Sequence, residues 1–273
     1  MLKKISSNQN KNIKYMKSLK LRKYRDLSGQ YLIEGVKIIQ EAIDNDIAIG
    51  FLLLSSSILD DKVAKDIVDI ALAKGIPVYE VDEIIFREIA MTKSSQGLMG
   101  VVDKPNFELD SLLRKDKIKV IILNEIQDPG NLGTLIRTAD ACDFDCVVLS
   151  KGCVDVYNDK VVRATMGSLF RMPIMANIDI DHLIEKLHSY EIATLGADPY
   201  GDVLSFNLNY KGKNAIIVGN ESSGLPKSIM DKVTYRVKIP MPGRAESLNA
   251  AIAASILMYE VIRGESAEKS IFI

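Results

Sequence analysis

The sequence contains few of the side chains on which metal sites and nucleophilic catalysis most often depend. Its only histidines, His182 and His188, lie six positions apart on a predicted helix. The three cysteines, Cys142, Cys146 and Cys153, include no Cys-x-x-Cys pair. The sequence therefore does not support a histidine-based metal centre or catalytic triad, and we expect no metal. The cysteines are expected to be buried, reduced thiols.

Long apolar runs are also missing. The two longest, residues 47–54 and 250–259, are far shorter than the roughly 20 residues that a membrane-spanning helix needs. Polar residues 6–14 follow Lys3 and Lys4, where a secretory signal peptide would require an apolar segment. With 47% hydrophobic and 26% charged residues, the composition is typical of a globular protein, and we expect a cytoplasmic location.

Acidic residues are absent from the first 25 positions, which carry nine lysines and arginines. The whole chain has a net charge of −1, so this basic segment precedes a body with an excess of acidic residues. Such a segment is typical of proteins that contact nucleic acid phosphates, and a solvated leader without a partner is the alternative. The residues predicted to make these contacts are Lys14, Lys17, Lys20, Arg22, Lys23 and Arg25.

Residues 1–103 show an α/β pattern that we interpret as a separate domain, with the basic segment helical after residue 12. Charged residues 104–117, with Pro105 near their start, form the predicted linker, and the second domain is predicted to span residues 118–273. In the first domain, strands are predicted at residues 31–33, 51–54, 78–81 and 97–102, and helices at residues 36–44 and 60–74.

Strands and helices alternate along the second domain, which predicts an α/β fold with a mostly parallel sheet covered by helices on both faces. The last predicted helix is apolar on most sides, as expected if it is deeply buried or covered by a partner subunit. The predicted strands are residues 119–123, 146–149, 173–176, 192–195, 215–218 and 237–239, and the predicted helices are residues 132–142, 158–170, 181–190, 226–231 and 246–263.

Three loops rich in Asn, Gly and Ser follow predicted strands of the second domain, at residues 124–133, 218–224 and 239–249. Ligands usually bind at such loops in α/β proteins, and glycine lets the backbone approach a ligand closely. The dinucleotide fingerprint Gly-x-Gly-x-x-Gly is absent. A phosphate-binding loop is not supported either, because Lys227 falls two positions late and Pro226 precedes it.

The three loops together resemble the motifs of the SpoU family (also called the TrmH-like family) of RNA ribose 2′-O-methyltransferases, within the SPOUT superfamily. The resemblance covers about residues 117–263, with all three motifs in order. The first motif is matched by Asn124, Asp128, Pro129, Asn131, Gly133, Arg137, Thr138 and Ala139, the second by Gly219, Glu221 and Gly224, and the third by Ile239, Pro240, Met241, Gly243, Ser247, Leu248 and Asn249.

The first domain looks like the L30e-like substrate-binding domain found in many members of this family. The similarity lies in the segment from Tyr31 to Gly35 and in Gln96-Gly97 before the closing strand. It implies a smaller N-terminal α/β/α domain that docks RNA, with the basic segment among its RNA contacts.

The resemblance also implies features that the residue pattern alone does not give. The family's catalytic domain ends in a deep trefoil knot, which forms the pocket for S-adenosylmethionine, and the family forms homodimers. Burial of the last helix within a monomer is the alternative to a homodimer. The resemblance places the cofactor near Leu195, Gly196, Gly219, Ile239, Met241 and Leu248.

The catalytic residues implied by the resemblance are Asn131, Arg137, Glu221, Ser247 and Asn249. A charged guanidinium has no free acceptor, so we expect Arg137 to position an RNA phosphate and stabilise a developing alkoxide, while an RNA phosphate or a water takes the proton. Plainer roles stay open: Asn131, Ser247 and Asn249 could cap helices, and Arg137 could be a surface arginine. Glu221 is expected to pair with Arg137 or with Asn249.

The functional prediction is therefore methylation of a ribose 2′-OH with S-adenosylmethionine as cofactor, in ribosomal RNA rather than transfer RNA. A non-catalytic RNA-binding or ribosome-assembly protein that kept the fold is the first competing interpretation. A transfer RNA or base methyltransferase is the second, and a small-molecule nucleotide-binding enzyme is the third.

Overall fold

The computed structural model describes residues 2–210 and 212–266. The chain divides into two compact units, of which the first contains Met1–Pro105 and Tyr157–Phe170 and the second contains Asn106–Val156 and Arg171–Ile273. Residues 267–273, which were included in the predicted second domain, lie outside the described part. Within that part, no helix is both long enough and apolar enough to cross a membrane.

The first unit is built on a five-stranded sheet in the order β1-β4-β3-β5-β2. Strands β1, β4 and β3 are parallel to one another, whereas β5 runs antiparallel to both β3 and β2. The elements are β1 (Lys3–Ile5), α1 (Lys11–Leu19), α2 (Arg22–Ser28), β2 (Gln30–Glu34), α3 (Val36–Asp44), β3 (Ile49–Ser55), α4 (Lys62–Ala73), β4 (Val78–Val81), α5 (Glu83–Ile89) and β5 (Leu98–Asp103).

The basic segment belongs to the body of the first unit. Strand β1 pairs with β4, and Ile13, Met16 and Leu19 of α1 are buried in the same hydrophobic cluster as Phe86 of α5. The spacing of these three residues, at i, i+3 and i+6, places them on one face of α1 and leaves its lysines on the other. The helical prediction for this segment is therefore confirmed, and the segment is not a detached leader.

Residues 157–170 pack with the first unit, although they lie between two strands of the second. A single helix was predicted over residues 158–170, but the structure has α8 (Asp159–Ala164) followed by a separate helical turn at Ser168–Phe170. The interruption occurs where Met166 and Gly167 have φ values of +51° and +88°, a left-handed conformation that ends a right-handed helix. Burial of Leu169 and Phe170 then holds the following turn.

The second unit contains a seven-stranded sheet in the order β10-β12-β9-β11-β6-β7-β8, and all neighbouring pairs are parallel. The α/β prediction with a mostly parallel sheet is confirmed. The elements are α6 (Leu109–Leu113), β6 (Ile118–Leu123), α7 (Pro129–Ala141), β7 (Cys146–Ser150), β8 (Ile174–Ile178), α9 (Ile180–Ser189), β9 (Ala193–Ala197), β10 (Val203–Leu204), β11 (Lys213–Val218), α10 (Lys227–Met230), β12 (Tyr235–Lys238) and α11 (Ala250–Ser266).

The central strands of this sheet are buried on both faces. Strand β6 is apolar along most of its length, and its Val120 and Ile122 pack in one cluster with Leu183 and Leu187 of α9. Such continuous apolar strands are typical of parallel sheets that helices cover on both sides. Because the strands run parallel, the loops that follow β6, β9, β11 and β12 lie at one edge of the sheet, and the three motif loops are among them.

Helix α11 begins later than predicted, at Ala250 instead of residue 246. Ala254, Leu257, Met258 and Val261 of this helix are buried. Ile252 and Tyr259, by contrast, are 52% and 54% exposed. Burial within the chain therefore accounts for one side of this apolar helix and leaves apolar groups on the other side open.

Candidate active site

The Glu221 carboxylate connects the second motif loop to the first. Its Oε1 accepts hydrogen bonds from the side-chain amide of Asn131 at 3.0 Å and from the backbone N–H of Asp128 at 3.3 Å. Its Oε2 accepts from the backbone N–H of Gln127 at 3.4 Å. One side chain on the loop after β11 therefore organises the backbone and the Asn131 side chain at the start of α7.

Asn131 also connects to the third motif loop. Nδ2 of Asn249 donates to Oδ1 of Asn131 at 3.2 Å, while Oδ1 of Asn249 accepts from the backbone N–H groups of Ala251 and Ile252. Asn249 therefore caps α11 and binds Asn131 with opposite ends of its amide. The series Glu221–Asn131–Asn249 brings three of the five predicted catalytic residues, and all three motif loops, into one hydrogen-bonded network.

The N-cap of α7 is Asp128, and the capping role considered for Asn131 is wrong. Oδ1 of Asp128 accepts from the backbone N–H of Asn131 at 2.7 Å, and Pro129 occupies the first turn of the helix. Proline is favoured there because the first N–H groups of a helix have no partner within the helix. Because Asp128 performs the cap, the Asn131 side chain is left free for the network.

Asn220 is a second connection between the first two loops, and the motif comparison did not include it. Its Nδ2 donates to the carbonyl oxygen of Glu125 at 2.9 Å, and its Oδ1 accepts from the backbone N–H groups of Ser222 and Ser223. An Asn two positions before a pair of serines is the sequence signal for such a side-chain turn. Ser222 and Ser223 therefore shape the loop through their backbone N–H groups.

Gly219 is required by the shape of the second loop. A Cβ built at this position would lie 2.2 Å from the carbonyl carbon of Gly224 and 2.5 Å from the backbone nitrogen of Leu225. No side chain could be accommodated without moving that backbone. The glycine therefore lets residues 219–224 fold back on themselves, which directs Glu221 toward α7.

The hydrogen bonds around Glu221 lower its pKa. Partial burial of the carboxyl group acts in the opposite direction and favours the neutral form. The donors supplied by the Asn131 amide and by the backbone of Gln127 and Asp128 outweigh it, so the pKa lies below its ordinary value. Glu221 is therefore a carboxylate at neutral pH and acts as a hydrogen-bond acceptor.

Arg137 and Ser247 lie outside this network. Arg137 is exposed on α7, in line with Asn131 and Thr134 at intervals of three residues, and it forms no hydrogen bond or ion pair within the described residues. The pairing of Glu221 with Arg137 that the sequence left open is therefore not present there. Ser247 is exposed and lines the pocket described next.

A pocket of about 610 Å³ opens beside the network, between the loops that follow β9, β11 and β12. Its volume lies within the roughly 300–1,000 Å³ that is usual for small-molecule sites. Val218, Val237, Leu257 and further apolar side chains give it a hydrophobic wall, next to the loop backbone at residues 219–224. The predicted cofactor residues that line this pocket are Gly219, Ile239, Met241 and Leu248.

Leu195 and Gly196 are not among the residues that line this pocket, and the placement of the cofactor near them stays a prediction. Leu195 is buried within β9, and a Cβ at Gly196 would meet Met230 and Val233. Both residues lie inside the strand, one step before the sheet edge where ligands bind. The wall is formed instead by the residues that follow, from Ala197 to Tyr200.

The pocket suits S-adenosylmethionine in its size and in the chemistry of its lining. Apolar side chains can cover the two faces of an adenine ring, while loop backbone can bind its polar edge. The Glu221 carboxylate of the neighbouring network also lines the pocket and adds a polar group to it. The residues that would hold the cofactor are Val218, Gly219, Ile239, Met241, Leu248 and Leu257.

The six basic residues predicted to contact RNA differ in how free they are. Arg25 is only 6% exposed, and its guanidinium donates to the carbonyl oxygens of Leu19 and Lys20, so its assignment to RNA binding is wrong. Other members have protein partners: Lys17 pairs with a glutamate, Arg22 pairs with an aspartate, and the Lys20 ammonium donates to two carbonyl oxygens. Lys14 and Lys23 are exposed without such partners in the described chain.

The cysteines agree with the sequence prediction. Cys142, Cys146 and Cys153 are all buried and free. Burial raises the pKa of the Cys146 thiol to about 12, which keeps it protonated and unreactive at neutral pH. Among the residues that the structure describes, no group of three or more His, Cys, Asp or Glu side chains could hold a metal ion.

Comparison with known proteins relates both units to established families. Residues 119–259 match the SpoU rRNA Methylase family, and residues 10–100 match the MRM3-like substrate binding domain. RlmP of Bacillus subtilis (strain 168), a 23S rRNA (guanosine(2553)-2′-O)-methyltransferase, is 34% identical over 267 residues, which cover 95% of this chain and 99% of that protein.

Solved structures show the same similarity. An AdoMet-bound rRNA methyltransferase from Sinorhizobium meliloti has a TM-score of 0.82 at 29% identity, over 96% of this chain and 98% of that one. The SpoU methyltransferase AviRb from Streptomyces viridochromogenes, in complex with the cofactor AdoMet, has a TM-score of 0.83 at 26% identity, over 94% and 98% of the two chains. The resemblance inferred from the three motifs is confirmed: the chain belongs to the SpoU rRNA Methylase family, and its first unit carries an MRM3-like substrate binding domain.

Proposed function

We propose that this protein is an RNA methyltransferase that transfers a methyl group from S-adenosylmethionine to a ribose 2′-OH, with ribosomal RNA as the substrate. The observation that carries the proposal is the Glu221–Asn131–Asn249 network beside a pocket of cofactor size that Glu221 also lines. The relatives support the same reaction: RlmP is named as a 23S rRNA 2′-O-methyltransferase, and AviRb is described in complex with AdoMet.

The cofactor supplies an electrophilic methyl group on a sulfonium. The chain must hold this methyl in line with the attacking oxygen and exclude water from the reacting atoms. The apolar wall formed by Val218, Ile239 and Leu248 would exclude water, while the network fixes the polar edge beside it. Positioning of this kind supplies a large part of the catalysis in a displacement that needs no metal.

Arg137 is the residue proposed to act on the RNA. Its charged guanidinium is exposed on the same helix as Asn131 and has no partner within the described residues, so it is available to a phosphate. In this role it would orient the acceptor ribose and stabilise negative charge as the 2′-oxygen loses its proton. The guanidinium has no lone pair for that proton, which therefore goes to an RNA phosphate or a water.

Asn131, Glu221 and Asn249 are proposed to position the acceptor side of the site. Glu221 accepts three hydrogen bonds from the segment 127–131, so its carboxylate is committed to protein contacts. Asn131 in turn has one amide atom held by Glu221 and the other by Asn249. Ser247, which has no hydrogen bond of its own among the described residues, is proposed to contact the cofactor or the ribose.

RNA docking is proposed for the first unit, through Lys14 and Lys23. Both ammonium groups are exposed, and the matching domain is described as substrate binding. Because the proposed substrate is ribosomal RNA, we propose that the protein acts in the cytoplasm. Loss of RNA binding in a Lys14→Gln/Lys23→Gln variant would support the docking surface.

A homodimer is proposed from helix α11, where Ile252 and Tyr259 leave apolar surface open. Light scattering that gives a dimer for the wild type and a monomer for Ile252→Asp would support this assembly, and a wild-type monomer would refute it. A trefoil knot at the C-terminal end of the second unit is proposed from the family. The test is whether an experimental structure threads residues 239–249 through an earlier loop.

The first experiment on the proposed function is calorimetric titration of the purified protein with S-adenosylmethionine. We expect saturable binding at one site per chain, and substitution in the pocket should weaken it. A protein that folds but binds no cofactor would instead be a non-catalytic RNA-binding member of the family.

A further inference from the structure

A loop with an exposed aromatic ring borders the pocket on the side away from the catalytic network. Residues 198–202 follow β9 and lead into β10. Tyr200 in this loop lines the pocket and is 82% exposed, more than any other large hydrophobic side chain that the structure describes. Tyr200 therefore places exposed aromatic surface next to the apolar wall of the pocket.

The backbone of this loop is held by several contacts. Oδ1 of Asp198 accepts from the backbone N–H of Tyr200 at 2.9 Å, and Oδ2 accepts from Nε and Nη2 of Arg236 at 3.2 and 2.8 Å. A Cβ at Gly201 would lie 2.6 Å from the carbonyl oxygen of Arg236, so the loop lies directly against β12. Tyr200 is therefore presented from an anchored backbone.

The charged groups that line the pocket at this loop, Asp198 and the neighbouring Arg236, are already bound to each other. Both carboxylate oxygens of Asp198 accept hydrogen bonds, and the Arg236 guanidinium donates to one of them. The Tyr200 side chain forms no hydrogen bond or ring contact with any residue that the structure describes. The Tyr200 side chain is therefore free to contact a ligand at this part of the pocket wall.

The strand order places Tyr200 away from the transfer centre. Asn131 follows β6 and Glu221 follows β11, whereas Tyr200 follows β9, and the strands adjoin in the order β9-β11-β6. At a strand spacing of about 4.8 Å, the ends of β9 and β6 lie on the order of 10 Å apart. The methyl group and the adenine ring of S-adenosylmethionine are separated by the ribose. A cofactor with its methyl near Asn131 would extend its adenine toward Tyr200.

We propose that the ring of Tyr200 stacks on the adenine of S-adenosylmethionine and covers the outer side of the pocket. The inference rests on the proposed function and adds a cofactor-binding residue that lies outside the three sequence motifs. Stacking of an aromatic side chain on a base removes apolar surface from water and tolerates sliding of the rings, so it requires a ring and not a hydroxyl. Phenylalanine at position 200 should therefore preserve the cofactor affinity, and alanine should not.

Calorimetric titration with S-adenosylmethionine tests the proposal directly. We expect Tyr200→Phe to bind with the affinity of the wild type and Tyr200→Ala to bind about tenfold more weakly, within the range for loss of base stacking. The matched control is Phe206→Ala, because Phe206 is a 49% exposed aromatic residue that follows the same loop and does not line the pocket.

A fluorescence measurement gives a second test, independent of activity. The chain contains no tryptophan, so Tyr200→Trp introduces a sole indole whose emission should be quenched by S-adenosylhomocysteine, whereas Phe206→Trp should not respond. Unchanged cofactor affinity in Tyr200→Ala, or a defect confined to the KM for RNA, would overturn the inference while leaving the proposed function intact. Failure of the wild type to bind cofactor would refute both.

Discussion

Nδ2 of Asn249 donates a hydrogen bond to Oδ1 of Asn131 at 3.2 Å, which joins residues that are 118 positions apart in the sequence. Through Glu221 this bond connects the beginning of α7 with the cap of α11 and with the loop after β11. Two amides and one carboxylate can satisfy one another only in a particular orientation, since each amide has one donor end and one acceptor end. The three motifs, far apart along the chain, are thus joined by one hydrogen-bonded network.

Removal of the Glu221 charge should disturb the acceptor side of the site. In Glu221→Gln the side chain keeps its length, but its NH₂ group would replace one acceptor oxygen and face either the N–H of Gln127 or the donors of Asp128 and Asn131. We expect a roughly tenfold loss of kcat and about 1 kcal/mol of lost stability, the low end for a charged hydrogen bond at a solvent-accessible site. Glu246→Gln, at an exposed carboxylate without a partner in the described chain, is the control.

The contribution of Glu221 to stability should depend on pH in a defined direction. Its pKa in the folded protein lies below the ordinary value of 4.5, because hydrogen bonds from Asn131 and the backbone outweigh its burial. Its stabilisation is therefore fully present above about pH 4.5 and is lost as the pH falls through the lower folded-state pKa. Urea unfolding should give a higher free energy of unfolding for the wild type than for Glu221→Gln at pH 7. This difference should shrink toward pH 3. A difference in free energy of unfolding that grows at acid pH would contradict the direction of the pKa shift.

Substitution of Arg137 should separate cofactor binding from turnover. Arg137→Lys keeps one positive charge but removes the planar, forked donor that can hold a phosphate in two places. We expect an unchanged Kd for S-adenosylmethionine and a loss of at least a hundredfold in kcat/KM for RNA, the scale for a group that stabilises transition-state charge. Arg114→Lys, at an exposed arginine outside the motif loops, should leave kcat/KM unchanged. Full turnover by Arg137→Lys would contradict the proposed role of Arg137 in methyl transfer.

Two motif glycines should respond differently to alanine. At Gly219 a methyl group would collide with the Gly224 backbone at 2.2 Å, so Gly219→Ala should displace the loop and abolish cofactor binding. At Gly243 nothing lies within 4 Å of the added Cβ, so Gly243→Ala should fold and bind the cofactor normally. Calorimetry and thermal unfolding of the pair check the expectation. Equal effects in the two variants would contradict the steric argument.

The surface lysines of the first unit should contribute through charge alone. Lys14→Gln and Lys23→Gln together are expected to weaken RNA binding and to reduce the slope of log affinity against log salt by about 2, one unit for each lost phosphate contact. Arg25→Ala should instead lower the thermal stability, because its buried guanidinium donates to the carbonyl oxygens of Leu19 and Lys20. A salt slope that is unchanged in the double lysine variant would remove these residues from the RNA surface.

Local patterns predicted most of the fold, and long-range packing explains what they missed. The predicted helix at residues 36–44 and the predicted strand at residues 78–81 coincide with α3 and β4, because apolar periodicity there reports burial directly. The short edge strands β1 and β10 were missed because each depends on pairing with a distant strand. The transfer of residues 157–170 to the first unit likewise depends on contacts that no local pattern encodes.

The candidate site also combines features that local patterns predicted with features that depend on long-range packing. The motifs correctly grouped Asn131, Glu221 and Asn249, since their residue types and spacing survive in the geometry. They also placed the cofactor near Leu195 and Gly196, which lie inside β9, whereas the pocket is lined by the residues after them, so this part of the assignment stays a prediction. Charge counting likewise included Arg25, which is the one buried residue of α2. Which member of a polar set faces inward depends on tertiary packing.

The most direct test of the central claim is to identify the product of methyl transfer. The protein should be incubated with methyl-labelled S-adenosylmethionine and total ribosomal or transfer RNA from an unmodified source, and the RNA should then be digested to nucleosides. The account predicts that the label elutes as a 2′-O-methylated nucleoside from ribosomal RNA, and that Asn131→Ala, which interrupts the network, loses most of it. Label in a methylated base, or full transfer by Asn131→Ala, would contradict the account.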